Sequence, residues 1–590
     1  MAPSLFFAPI STGILDRVRS LLAEYNSQVA GGTRVLKRYG VLLELWSLSL
    51  VSLGTLAFAA QTAPSPAAAP AKQYVGDEAC GRCHASIADS YSRTHMAHAS
   101  GRVAENFIPA DFTHPKSGVH YRISQQDGHS WLSFDRPGDP MVRGQRELLY
   151  YIGSGYRGLT YLFSTDGYVF ESPINWYGKK GAWDMTPAYQ NAKEIPLNLP
   201  AFTSCLHCHV SEMQPPINGT ENRYAMPLLI HPGVTCERCH GPGSAHLKGG
   251  PIVNPAKLTP ERRDQVCMQC HLEGKVAIER AGRHVYEYQP GDNLSDFIRY
   301  YVLADSARLG AVSQVEAMSE SICKKKSGDR MSCTSCHDPH DSPATERRTS
   351  YYRDRCLACH GPAIGAKHHP SQPDCTGCHM PSSQSKDVAH TQVTDHRILR
   401  RPEVSPQLVE SADHRASLQL VPFPVSAEAE NDVRDLALAW ESLAVSGADS
   451  TAPEAERLLR SSFKKSPDDP AVLSALGYIE QKHGATDRAR ELYEKAIALD
   501  PNSIDAATNL GVIELRAGHV REAVRLWEGA FQRAPGRSEI GMNIARVFCE
   551  AGKIDGARSF TLRVLEFNPD LGAAKTLLQN LNHTPASCGS

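Results

Sequence analysis

The chain has almost no net charge, since 62 Lys and Arg against 64 Asp and Glu leave −2 over 590 residues. That balance supplies no basic surface for nucleic acid and no cationic patch for an anionic membrane. Aromatic residues are scarce, at 7%. The segment between Pro200 and Pro381, rich in Gly, Pro and Cys, contains no long amphipathic run. A segment of that kind builds no conventional core and is expected to fold around what it binds. Histidine is absent before His84, and cysteine is absent between Cys83 and Cys205. At this length two or three domains are expected.

Cysteine elsewhere follows one pattern. Fourteen of the seventeen lie in seven copies of C-x-x-C-H. These are Cys80–Cys83–His84, Cys205–Cys208–His209, Cys236–Cys239–His240, Cys267–Cys270–His271, Cys333–Cys336–His337, Cys356–Cys359–His360 and Cys375–Cys378–His379. This is the attachment signature of c-type haem. Two thiols join the two vinyl groups of one porphyrin, and the next histidine reaches the iron from the proximal side. C-x-x-C alone also serves zinc and redox dithiols, but neither chemistry requires histidine at that position every time. Seven covalent haems are the expected cofactors. They would also supply apolar packing surface in a region poor in aromatics.

Of 25 histidines, 21 fall between residues 74 and 400. Seven are the proximal ligands, which leaves fourteen for at most seven sixth positions on iron. Low-spin haems take a second axial ligand, usually His or Met. Distal candidates follow from local context. His246 lies shortly after motif three, His340 after motif five, and His368 and His369 after motif six; His390 and His396 lie beyond motif seven. In Tyr91-Ser-Arg-Thr-His95-Met96-Ala-His98, any of the three donors could serve the first haem, and His95 is taken as the candidate. For each of these the competing reading is a surface or hydrogen-bonded histidine, and His207, His231 and His284 stay closer to it. Motifs two, three and four repeat every 31 residues, with 23 and 19 between five, six and seven. Connections that short keep neighbouring haems in contact and favour a conducting row.

Three stretches carry a resemblance: Val234-Thr-Cys-Glu-Arg-Cys-His-Gly-Pro-Gly-Ser-Ala-His246, Ser332-Cys-Thr-Ser-Cys-His-Asp-Pro-His340 and Cys375-Thr-Gly-Cys-His-Met-Pro381. Residues 74–400 resemble the multihaem cytochromes c of environmental bacteria that carry C-terminal tetratricopeptide repeats. The resemblance implies axial-ligand roles for the histidine after Gly-Pro-Gly and for the closing Thr-Asp-His, here His246 and His396.

Arg34, Lys37 and Arg38 precede an apolar stretch from Val41 to Ala60 that ends Leu-Ala-Phe-Ala-Ala. This is the pattern of a secretory signal, with cleavage near Ala59–Gln61. The alternative is an uncleaved membrane anchor facing the periplasm, since about 20 residues can span a bilayer. No cysteine follows the stretch, which argues against a lipoprotein anchor. Residues 1–33 form an unusually long leader, consistent with a start codon assigned too early. Export places the protein in the periplasm or outside the cell, where covalent haem attachment occurs.

Between motifs one and two, Val119–Phe134 alternates around Asp127-Gly128, and Leu148–Trp176 strings apolar runs between Gly-Ser-Gly and Asp-Gly. These are hairpin signals and predict a small antiparallel sheet. Its tyrosines, Trp176 and Trp183 are read as sheet core and haem packing, with a substrate-cavity wall as the alternative. Towards the C-terminus, Pro467, Pro501, Pro535 and Pro569 recur every 34 residues, as do Gly484, Gly518 and Gly552, and Ala455, Ala489, Ala523 and Ala557. Thirty-four is the tetratricopeptide period. Leu476-Gly477 and Leu510-Gly511 fit first helices, with Tyr493 and Trp527 in second helices. Such a solenoid presents a docking face, or alternatively caps the haem domain. Cys323, Cys549 and Cys588 receive no role.

The expected fold is mainly α. It has a leader and signal peptide or anchor over 1–60, a Pro/Ala linker over 61–73, and an irregular haem-wrapped domain over 74–400 with a β-rich insert at about 110–200. A linker over 401–430 and an α–α solenoid over 431–583 complete it. The expected function is electron transfer along seven haems to a redox partner protein docked at the repeats. Every motif ends in histidine, which excludes a lysine-ligated catalytic haem like that of pentahaem nitrite reductases. The alternative is a multihaem oxidoreductase with one five-coordinate haem acting on a small nitrogen or sulfur compound. Catalytic residues, if any, are not identified by the sequence.

Overall fold

A computed structural model describes residues 73–187, 189–304, 313–361, 364, 374–381, 394–400, 419–424, 432–447, 449–583 and 588. The leader, most of both linkers, His368, His369 and His390 lie outside the described residues. No helix among the described residues is long and apolar enough to cross a membrane.

The insert is a larger sheet than expected. Nine antiparallel strands run from Ser100 to Met185: β1 Ser100–Arg102, β2 Ala110–Thr113, β3 His120–Gln126, β4 His129–Arg136, β5 Asp139–Ile152, β6 Gly158–Thr165, β7 Tyr168–Glu171, β8 Ile174–Tyr177 and β9 Ala182–Met185. Their order is β2-β3-β4-β5-β6-β8-β9, with β1 on β5 and β7 on β6. The two Asp-Gly signals are its hairpins. Asp127 and Gly128 have φ of 53° and 81°, and Asp166 and Gly167 have 53° and 82°. Both central residues are left-handed, as a type I′ turn requires. Alternation on β3 and β4 buries Tyr121, Ile123, Leu132 and Phe134 in the sheet core. Trp176 and Trp183 face each other across β8 and β9, 6.0 Å apart, and pack on the same core.

The motif region has short elements. They are α1 Asp77–Gly81, α2 Ala85–Tyr91, α3 Thr203–Leu206, α4 Cys236–His240, α5 Pro260–His271, α6 Gln314–Glu320, α7 Ile322–Ser327, α8 Arg348–His360 and α9 Cys375–His379. Strands β10 Val210–Met213 and β11 Leu229–Pro232 form one small ribbon. A three-stranded sheet joins β12 Val276–Glu279, β13 Ile298–Ala304 and β14 Gln419–Phe423. Strand β14 corrects the expected linker over 401–430. The backbone groups of Leu420–Phe423 pair with β13, and Leu420 and Phe423 are buried.

The solenoid comprises α10 Val433–Val445, α11 Ala452–Lys465, α12 Pro470–Lys482, α13 Thr486–Leu499, α14 Ile504–Arg516, α15 Val520–Arg533, α16 Ser538–Glu550, α17 Ile554–Phe567 and α18 Gly572–Asn582. The 34-residue period has a steric cause. Ala455, Ala489, Ala523 and Ala557 are buried between paired helices. A Cβ on Gly511 would lie 2.4 Å from Trp527 Nε1, and one on Gly477 would lie 2.7 Å from Tyr493 Cε1. Gly484, Gly518 and Gly552 follow first helices at φ of 80°, 89° and 70°, the left-handed C-terminal cap position. Cys549, in α16, forms a disulfide with Cys588, so these two cysteines are a structural pair rather than incidental.

The solenoid does not stand free of the rest. Asp570, buried after α17, accepts hydrogen bonds from Arg136 Nη1 at 2.9 Å, Ile195 N at 3.0 Å and Lys575 Nζ at 2.7 Å. Phe567 enters the insert core beside Tyr168 and Phe170. Arg537 pairs with Glu221 and Asp505, each at 2.5 Å. At the other end, α10 packs on β12–β14. There Arg280 pairs with Asp432 and Asp435, and Arg434 Nη1 donates to the Glu279 carbonyl at 3.3 Å. These contacts join the solenoid to the insert at one end and to the β12–β14 sheet at the other.

Candidate haem-binding site

Each motif begins as a helical turn. In motif three, Thr235 precedes α4, and both cysteines and the histidine lie on a single five-residue helix. A spacing of three puts Cys236 and Cys239 on one side of the turn. Motif four closes α5 and motif six closes α8, so their histidines sit at helix C-termini. Glu237, between the cysteines of motif three, is fully buried. Its carboxylate accepts the N–H groups of Val75, Gly76 and Gly243 at 2.7–2.9 Å. It thereby ties the start of the domain and the Gly-Pro-Gly loop to this motif.

The motifs surround one continuous cavity of about 5130 Å³. All seven motif histidines line it, as do twelve of the fourteen motif cysteines; only Cys359 and Cys378 stand back. Small-molecule sites take roughly 300–1,000 Å³ each, so the volume suits seven large ligands sharing one interior. Among the described residues no group of three or more His, Cys, Asp or Glu is arranged to hold a bare metal ion, as a zinc ribbon would need.

Two pairs of imidazoles face each other across this space. The ring centres of His240 and His340 are 6.0 Å apart with planes inclined 13°. Those of His337 and His396 are 6.3 Å apart at 26°. With metal–imidazole bonds of roughly 2.0 Å, either span could accommodate one metal between the two rings. His340 lies near motif five in sequence, yet its ring opposes the histidine of motif three.

The ring nitrogens are oriented for ligation. His240 Nδ1 donates to the Val253 carbonyl at 2.9 Å, His379 Nδ1 to Leu399 at 2.6 Å, His396 Nδ1 to Thr394 at 2.9 Å and His246 Nδ1 to Gly250 at 3.2 Å. A carbonyl only accepts, so the proton sits on Nδ1 and the Nε2 lone pair is left for a metal. Burial lowers the pKa of His240, His271 and His396, and takes His337 down to about 4 with help from His396 and His271. All four are neutral at pH 7, the form that binds metal.

The comparisons agree with this geometry. Residues 178–241, holding motifs two and three, match the family "Cytochrome c554 and c-prime", and residues 326–365, holding motifs five and six, match "Doubled CXXCH motif". Residues 470–503, 492–525 and 514–581 match tetratricopeptide repeat families. A multiheme cytochrome, MtrA of Shewanella baltica (strain OS185), is 26% identical over 189 residues, covering 28% of this chain and 54% of that protein. The chain is a multihaem cytochrome c with C-terminal tetratricopeptide repeats. This cytochrome spans about half the length of that relative. Among solved structures, MamA of Desulfovibrio magneticus RS-1 is 18% identical over 26% of the cytochrome and 84% of its own chain, with a TM-score of 0.23. PilF of Pseudomonas aeruginosa is 21% identical over 25% and 68%, also at 0.23. Scores this low carry no argument about the fold.

The cytochrome binds c-type haem covalently, and its donor set fits that group: paired thiols on helical turns, histidines aimed into the cavity, and opposed imidazoles at the right span. His95 and Met96 line the cavity, with the His95 ring 4.1 Å from that of Tyr156. His98 instead turns away and bonds the Ser92 carbonyl through Nε2. His246 and His284 also line the cavity, although His284 Nδ1 is held by Glu279 at 2.9 Å. His207 is buried against Arg238, and His231 pairs with Glu212. The solenoid adds cavity-lining residues that no motif announces: Ser442, Leu443 and Val445 of α10, then Arg537 and Glu539. Glu171 at the end of β7 lines it too, and burial raises its pKa to about 7.

Proposed function

We propose that this cytochrome is an exported heptahaem electron carrier. Cys80 and Cys83, Cys205 and Cys208, Cys236 and Cys239, Cys267 and Cys270, Cys333 and Cys336, Cys356 and Cys359, and Cys375 and Cys378 each tether one haem. His84, His209, His240, His271, His337, His360 and His379 are the proximal ligands. His340 completes the haem of motif three and His396 that of motif five. His95 and His246 serve two others, and His368, His369 and His390 remain candidates for the other three. When bound, each haem supplies a one-electron ferric–ferrous couple. The chain keeps these sites around one shared cavity, and His240, His246, His379 and His396 carry the proton on Nδ1, leaving Nε2 for iron.

The observation that carries the reading is the opposed imidazole pairs. Were these pairs to hold the irons of motifs three and five, no position would be left there for a substrate, which favours transfer over catalysis. Export is supported by the apolar segment at Val41–Ala60 and by the Cys549–Cys588 disulfide, since such bonds persist in oxidising compartments. The redox partner protein docks on the part of the solenoid that the insert leaves free, in line with the general role of these repeats in protein–protein binding.

Optical and paramagnetic-resonance spectra test the reading, with carbon monoxide or nitrite added to the reduced protein. Uniformly low-spin iron that binds neither is expected. A high-spin signal with ligand binding at one haem would favour the oxidoreductase alternative instead.

A further inference from the structure

The contacts among the motifs do not follow their order in the chain. Asp77, ahead of motif one, accepts the Cys236 N–H of motif three at 2.8 Å. Gln269, buried between the cysteines of motif four, touches two other motifs. Its Nε2 donates to the Arg238 carbonyl inside motif three at 3.3 Å, and its own carbonyl lies 3.8 Å from Cys208 Sγ of motif two. Lys324 joins motif four to motif five. It pairs with Asp264 of α5 at 3.7 Å and donates to the Met331 carbonyl, just ahead of Cys333, at 2.6 Å. Tyr352 of α8 brings motif six to His337 of motif five, 3.3 Å from its Nδ1, and α8 packs on α9, which carries motif seven.

Motif one therefore reaches the centre through motif three, and motif two lies beside that route. Arg238 Nη2 of motif three reaches the His207 carbonyl of motif two at 3.1 Å, so motif two touches both motif three and motif four. Motif two sits where insert and solenoid meet. Pro200, just before α3, pairs with Phe170, and Asn198 Nδ2 donates to the Gly536 carbonyl at 3.1 Å.

Building on the heptahaem reading, we infer that the array is branched: the through-route runs one-three-four-five-six-seven, and the haem of motif two is a side arm at the junction of motifs three and four. Covalent tethering makes motif neighbours haem neighbours. Exchange between neighbours oxidises one site as it reduces the next, with no atom or proton required. The array then has three ends, at motif one, at motifs six and seven, and at the insert–solenoid seam. Cys83 and Cys359 are both exposed, consistent with the first two. The third end gives a one-electron partner separate access.

The test uses a ruthenium photosensitiser on D89C, an exposed position of α2 beside motif one, and counts haem equivalents reduced in the fast phase. In the full-length holoprotein all seven are expected. With C205A/C208A, which removes the haem of motif two, the other six should still fill. With C236A/C239A reduction should stop at one. Arrest at one haem in C205A/C208A would overturn the branch and restore chain order. Iron positions from electron cryomicroscopy of the unmodified holoprotein decide the matter even if a variant does not mature. Motifs two, three and five must then supply the nearest irons to motif four, and a sequential row overturns the proposal. An intact mass short of seven haems in the unmodified protein would instead remove the heptahaem reading.

Discussion

His240 and His340 face each other with ring centres 6.0 Å apart and planes inclined 13°, although one belongs to motif three and the other follows motif five. This cross-motif relationship is testable. H340A should convert one haem to high spin, visible by paramagnetic resonance, with haem content unchanged by mass. H340M should stay low-spin with one raised potential, because Met/His ligation raises it relative to bis-histidine. A fully low-spin H340A would remove His340 from the ligand set.

The equivalent substitution H396A is expected to free the sixth position at motif five. The double variant with H340A should show two high-spin haems. Carbon monoxide uptake by the reduced protein should rise from none to one to two.

The haem motifs were legible in the sequence because covalent attachment fixes residue types at fixed spacing. The hairpins were legible because left-handed turn residues favour Asp-Gly, and the solenoid because small residues must recur where helices touch. What escaped was set by distant contact. The strand Gln419–Phe423 has a local sequence that reads as linker, and only pairing with Ile298–Ala304 defines it. The Cys549–Cys588 bond joins residues whose pairing no spacing rule supplies. Nothing around Asp570 announces that Arg136 will reach it, or that the repeats will wall the cavity. His340 was legible as a donor, but not as the partner of His240.

Arg136 clamps the solenoid to the insert through Asp570. R136A leaves that buried carboxylate short of a charged donor, at about 1–3 kcal/mol. A lower denaturation midpoint and faster proteolytic release of residues 431–583 are expected.

Gly511 lies against the Trp527 indole, with 2.4 Å between a built Cβ and Nε1. Although alanine is the better helix former, G511A should destabilise the solenoid by roughly 1–3 kcal/mol through overpacking. Thermal unfolding of the full protein checks this, with an alanine at exposed Lys482 as the control.

Burial raises the Glu441 carboxyl to about 7, with Asp505 adding to it. A carboxyl whose folded pKa exceeds its unfolded value binds more protons when folded, so stability falls as pH rises from about 4.5 to about 7 and is flat beyond. E441Q should flatten that slope and be the more stable protein above pH 7, by on the order of 1–3 kcal/mol. Denaturant titrations at pH 5 and pH 8 read the difference.

Seven tethered haems are the centre of the account, and the intact mass of the mature protein measures them directly. The expected result is the processed polypeptide plus seven covalent haems, unchanged by acid denaturation. A polypeptide with fewer haems, or one that loses them on denaturation, would contradict it.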